Sequence, residues 1–217
     1  VGHYVPQHDP IHKATIIPRG RALGLVLSLP ERDQYSVTYT KYKSKIAMAM
    51  GGKVAEELIF GKENVTSGAA SDIQQVSKIA RAMVTQFGFS DELGNVDYAN
   101  EQQSFLGSYQ SGGNVSPETQ ELIDAEVRKI IDEGYETAKR ILTEHADEHQ
   151  RLAEALLEFE TLTGSEIQKA MKGEPIDRGD DDEPTAGLPS ITAIPKTKKP
   201  KAKPLDDSPG GMEPEPT

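Results

Sequence analysis

Thr66-Ser67-Gly68-Ala69-Ala70-Ser71-Asp72 puts one carboxylate at the mouth of a helix after a run of small residues. Behind it Ile73, Val76, Ile79, Ala80, Met83, Val84 and Phe87 recur at helical spacing until Gly88, making the most apolar helix of the chain. This stretch decides the class of fold, because everything after it reads as helices and everything before it as a compact lead-in. Asp72 is also the best candidate for a metal ligand.

Working back from it, Gly61-Lys62-Glu63-Asn64 is a loop, and Ile46, Ala47, Met50, Val54, Ala55 and Leu58 mark one buried face of a helix over Lys41–Phe60, begun at Thr40 or a neighbour. Gly51-Gly52 lies inside that helix at a cost of about 1 kcal/mol per glycine, so it either permits close packing or divides the helix in two. Further upstream, Ala14–Ile17 and Leu23–Leu27 are β-rich runs separated by the turn-forming Pro18-Arg19-Gly20-Arg21, giving a hairpin or two sheet strands. Glu31–Tyr39 is polar and expected as loop. His3, His8 and His12 fall in a segment broken by Pro6 and Pro10, where no helix can align them, and loop histidines are the expectation.

Downstream, residues 88–116 carry five glycines and no sustained periodicity, which predicts a long loop with one short strand near Val96–Tyr98. Ser116-Pro117 is a helix start, with serine as N-cap and proline in the first turn. A long amphipathic helix runs from there through Leu142, a second covers His145–Leu162, and Gly164-Ser165 caps a short third, Glu166–Lys172, stopped by Gly173. The pair forms a helical hairpin with an addendum. From Glu174 on, nine of the 14 prolines fall in 44 residues beside the Asp180–Glu183 acid run and a lysine run from Lys196 to Lys203, a composition that cannot bury enough apolar surface to fold. The expected division is therefore a folded 1–173 and a disordered Pro- and charge-rich tail, 174–217, solvated rather than bound to an anionic surface.

The net charge of −11 argues against nucleic-acid binding, which needs clustered Lys and Arg. Residues 117–160 alone carry 13 acids and 5 bases. The 217 residues contain no cysteine, so any metal must be held by His, Asp or Glu. No run approaches the ~20 apolar residues of a spanning helix, and no signal peptide opens the chain, so these residues are expected to be soluble. The opening Val1-Gly2-His3-Tyr4-Val5, without a cap or leader, is expected to be internal to a longer protein.

Among short motifs, His145-Ala146-Asp147-Glu148-His149 fits the H-x-x-E-H pattern of inverted zincins, both histidines being one turn apart. Its acidic surroundings and its place at a helix junction favour a solvated helix start. Phosphate loops, G-x-S-x-G elbows and dinucleotide turns are absent, so these residues encode no ATP site. Glu56-Glu57 offers a ligand or a supporting acceptor, with exposed helix charge the favoured reading.

Four blocks in order resemble the FtsH-type proteases: Ile16-Ile17-Pro18-Arg19-Gly20-Arg21-Ala22-Leu23-Gly24, Gly51-Gly52-Lys53-Val54-Ala55-Glu56-Glu57, Thr66 to Ile73, and Met83-Val84-Thr85-Gln86-Phe87-Gly88-Phe89-Ser90. The resemblance spans residues 1 to about 172. It implies a mostly α protease domain with a small β element near the N-terminus and a C-terminal helical hairpin. It also implies zinc bound by an H-E-x-x-H helix and a distant aspartate, which Asp72 matches. Residues 1–217 contain no H-E-x-x-H. In the family that motif ends a few residues before the position of Val1, so the resemblance places two histidine ligands and the general-base glutamate upstream and assigns no catalytic residue here. It further implies an ATPase module outside these residues, a homohexameric ring, and unfolded or membrane-extracted protein substrates. The anchor would be an N-terminal segment in the bacterial inner membrane, with this domain on the cytoplasmic side. The run Leu23–Leu27 is the candidate edge for holding extended substrate. The alternative is that residues 1–217 by themselves are a helical oligomerisation piece without activity.

Overall fold

A computed structural model describes residues 1–20, 22–30, 34–98 and 115–178. Its elements in order are β1 (Ile11–Thr15), β2 (Leu25–Ser28), α1 (Tyr39–Phe60), α2 (Ala70–Thr85), α3 (Pro117–Glu144), α4 (Ala146–Phe159), β3 (Thr161–Thr163) and α5 (Gly164–Lys172). The architecture is mostly α with a small sheet near the N-terminus, as the periodicity predicts. The Asp180–Glu183 run and the lysine run lie outside the described residues.

Capping sets the helix boundaries. Thr38 accepts from the Lys41 N–H and starts α1, while Ser116 accepts from the Thr119 N–H and starts α3 with Pro117 in its first turn. α1 runs undivided through Gly51-Gly52. A methyl on Gly51 would meet Val1 at 3.2 Å, whereas Gly52 faces open space.

Ile46, Met50 and Val54 of α1 meet Val76, Ala80, Met83 and Val84 of α2 and Ile123, Ile130, Ala138 and Leu142 of α3 in one core. The approach of α1 to α3 is closest at Gly134, where a Cβ would stand 2.5 Å from Cγ2 of the fully buried Ile46. A second, smaller core lies under the sheet. There Ala14, Leu162 and Ile167 pack with Leu152, Ala155, Leu156 and Phe159 of α4.

The sheet has the order β2-β1-β3, both pairs antiparallel. Four expectations are corrected. The first strand begins at Ile11 rather than Ala14, because pairing with β2 uses Lys13, Ala14 and Thr15 and leaves Ile16 and Ile17 about 40% exposed. The second helix of the C-terminal pair stops at Phe159, not Leu162: Glu160 turns left-handed at φ 58° and Thr161-Leu162-Thr163 becomes β3, with Leu162 fully buried. Thr163 then caps α5 through a capping box with Glu166, so the helix opens two residues before Glu166. Val96–Tyr98 is not a strand; the Tyr98 N–H bonds the Thr85 carbonyl at the end of α2.

Gly134→Ala trades a helix-propensity gain of about 1 kcal/mol for overpacking that typically costs 1–3 kcal/mol. Since the neighbour is a buried side chain at 2.5 Å, a net loss of about 1 kcal/mol is expected in chemical denaturation. Gly52→Ala, with nothing in reach, is expected to raise stability by about 0.5–1 kcal/mol, and the opposite pair of signs would contradict this packing.

Candidate functional site

Asp72 stands in the first turn of α2, half-buried, where the unpaired N–H groups of the helix start favour a negative charge. Its carboxylate makes no hydrogen bond or ion pair to another described residue. A half-buried carboxylate with both oxygens uncommitted is a donor of the kind zinc takes.

The turn that delivers Asp72 is built by its neighbours. Thr66 caps the 3-10 turn Ser67–Ala69, accepting from the Gly68 N–H at 3.2 Å, and that turn runs straight into α2. Glu56 of α1 grips the same threonine, accepting its N–H at 2.7 Å and its hydroxyl at 3.0 Å. The adjacent Glu57 turns the other way. It accepts the Tyr135 hydroxyl of α3 and lies 3.9 Å from Lys53. Neither carboxylate is idle helix charge, which corrects the favoured reading of this pair. Their spacing from Thr66 and Tyr135 along the chain, 10 and 78 residues, left no local signal to find them by.

Three of the histidines, His3, His8 and His145, make contacts away from Asp72. His8 Nδ1 bonds the Asp9 carbonyl at 2.7 Å, and His3 meets Tyr4 edge to face. In the H-x-x-E-H stretch, His145 stacks on Tyr4 at 3.7 Å and its Nδ1 sits 3.1 Å from Glu148, which also accepts the Tyr4 hydroxyl. That bond pushes the Tyr4 pKa up to about 12. Burial holds His149 below the usual imidazole range, on the wall of an apolar cavity of about 80 Å³ shared with Leu142, Leu152 and Met171. Among the described residues no group of three or more His, Asp or Glu could hold a metal ion. The structure therefore places Asp72 on a turn held by Thr66 and Glu56, stacks His145 on Tyr4 and sets His149 against an apolar cavity.

Among the described residues β2 lies at an edge of the sheet, with Leu25, Val26 and Leu27 37–50% exposed. The Leu29 N–H bonds the Pro10 carbonyl beside β1. Period-two alternation then turns the backbone groups of Leu27 and Leu25 toward β1 and those of Val26 outward.

The sequence profile of peptidase family M41 matches residues 1–170. The chain is 51% identical over 193 residues to the ATP-dependent zinc metalloprotease FtsH of Caulobacter vibrioides, covering 88% of this chain and 31% of that protein. It is 53% identical over 177 residues to the Rickettsia typhi protein of the same name, covering 82% and 28%, and 45% identical over 177 residues to mouse ATP-dependent zinc metalloprotease YME1L1, covering 82% and 23%. The chain spans about a third or less of these curated relatives.

Changing both His145 and His149 to Ala is expected to leave metal affinity unchanged and to lower the melting temperature through the lost Tyr4 stack. A fall in zinc affinity on isothermal titration would restore the H-x-x-E-H site.

Proposed function

The chain belongs to peptidase family M41, and on that premise we propose that it supplies the distal part of the peptidase site of an ATP-dependent zinc metalloendopeptidase. Asp72 is the zinc ligand it contributes. The observation that carries this reading is the uncommitted Asp72 carboxylate at the start of α2, on a turn that Glu56 and Thr66 hold in place. One fitting donor is present here; the remaining donors and a general base would come from the rest of the protein. When bound, zinc polarises a peptide carbonyl and acidifies water. What these residues do is narrower: α2 aims the carboxylate and Glu56 keeps its turn from fraying.

The substrates proposed are unfolded or membrane-extracted polypeptides, driven by ATP hydrolysis in an ATPase module outside these residues, within a homohexamer. The proposed setting is the cytoplasmic face of the bacterial inner membrane. No described helix is long and apolar enough to cross a membrane, so anchoring would fall to another segment. The folded unit is taken as residues 1–173, with 174–217 as a tail.

β2 is the proposed docking edge, adding an extended peptide as a further strand. Val26, whose N–H faces outward, is the residue that would donate to it, whereas Leu25 serves the pairing with β1.

In the complete enzyme, Asp72→Ala is expected to weaken zinc binding at least tenfold in chelator competition, in keeping with the loss of one of three ligands. Unchanged affinity would sink the assignment. Residues 1–217 alone are expected not to cleave casein, and chelator-sensitive cleavage by them would contradict the division of the site. Val26→Pro, tolerated at an open edge, should raise KM for an unfolded substrate with kcat little changed; equal kinetics would remove β2 from the binding path.

A further inference from the structure

The end of α1 is held by polar contacts rather than by packing. Val54 is its last buried side chain and Ala55 the last to touch the core; beyond them Leu58, Ile59 and Phe60 are 47–60% exposed. Two carboxylates on this unpacked end reach other elements. Glu57 accepts the Tyr135 hydroxyl of α3, and Glu56 accepts both donors of Thr66. Tyr135 itself is anchored, half-buried against the main core one residue after the Gly134 contact. Its hydrogen bond to Glu57 pushes the phenol up to about 12.

We propose that Tyr135 is a positioning residue for Asp72, acting through Glu57, the end of α1, Glu56 and Thr66. The path has two covalent stretches, along α1 and from the Thr66 turn into α2, and three hydrogen-bonded joints. Tyr135 fixes Glu57 from the rigid side of the bundle. The helix backbone carries that constraint to the adjacent Glu56, which pins Thr66, and the Thr66 turn sets the first turn of α2 where Asp72 stands. Without the phenol hydroxyl, the end of α1 has no polar tie to α3 among the described residues, and Glu57 keeps only Lys53 of its own helix. The turn at Thr66 then follows a looser helix end. This inference rests on Asp72 being a zinc ligand.

The test uses the complete enzyme, with zinc dissociation constants from chelator competition at a temperature well below melting. Tyr135→Phe removes one oxygen and is expected to weaken zinc binding by roughly tenfold, in the range found for partners that orient metal ligands. Glu57→Gln keeps an acceptor oxygen for the phenol and should bind zinc much more tightly than Tyr135→Phe. Thr66→Val breaks the far end of the same path, so the Tyr135→Phe, Thr66→Val double variant should lose no more than the larger single loss. A simple loss of stability would not produce that saturation.

Unchanged zinc affinity in Tyr135→Phe overturns the inference, as do additive losses in the double variant or a Glu57→Gln loss equal to that of Tyr135→Phe. Asp72→Ala is the separating arm. If it weakens zinc binding while Tyr135→Phe does not, the positioning path fails and the ligand assignment stands. If Asp72→Ala is without effect, the assignment fails and takes the inference with it.

Discussion

The contact of Gly134 with Ile46 is the constraint on which the other placements depend. Because glycine has no Cβ, α3 settles directly onto α1, and a single added carbon would stand 2.5 Å from a fully buried methyl. That close crossing sets the distance at which Tyr135, one residue on, reaches Glu57. It also closes the core into which α2 inserts Val76, Ala80, Met83 and Val84, each with no exposed surface. Asp72 sits one turn before Val76, so the packing of α2 determines where its carboxylate goes. Interiors packed this tightly transmit such constraints rather than absorb them.

The N-terminal loop, the sheet and α4–α5 form a second assembly around the same helices. Lys41, almost wholly buried, pairs with Asp9 and ties the loop before β1 to the start of α1. That pairing, chiefly through its hydrogen bond, holds the Asp9 carboxyl below its ordinary range. Tyr4 closes the other side by stacking on His145. β1 is the central strand, so β2 is left with an open edge, and an open edge with exposed apolar side chains is either a hazard or a docking site.

Much of this was legible in the residues. Ser116-Pro117, the three-four spacing of apolar residues and the stops at Gly61 and Gly173 located the helices, because caps and periodicity are local. What was hidden was set by contacts far apart in sequence. Thr161-Leu162-Thr163 continues an apolar helical pattern, yet it leaves the helix because Leu162 fills the space under Ala14, nearly 150 residues earlier. Glu56 and Glu57 look like ordinary helix charge until Thr66 and Tyr135 are brought beside them. His145 and His149 have ligand spacing, but the approach of Tyr4 commits the first to a stack and burial lowers the pKa of the second. Asp72 was marked by a local pattern, a carboxylate after small residues at a helix mouth, and in the structure its carboxylate makes no hydrogen bond or ion pair to a described residue.

The central claim is that the carboxylate this chain brings to a peptidase centre is Asp72, with Glu56 a support and not a ligand. Anomalous diffraction at the zinc edge from crystals of the complete enzyme tests it most directly. A single strong peak is expected, with an Asp72 oxygen within about 2.0–2.2 Å and the Glu56 carboxylate still on Thr66. A zinc whose coordination is completed by Glu56, or by His145 and His149, with Asp72 left in solvent, would contradict it.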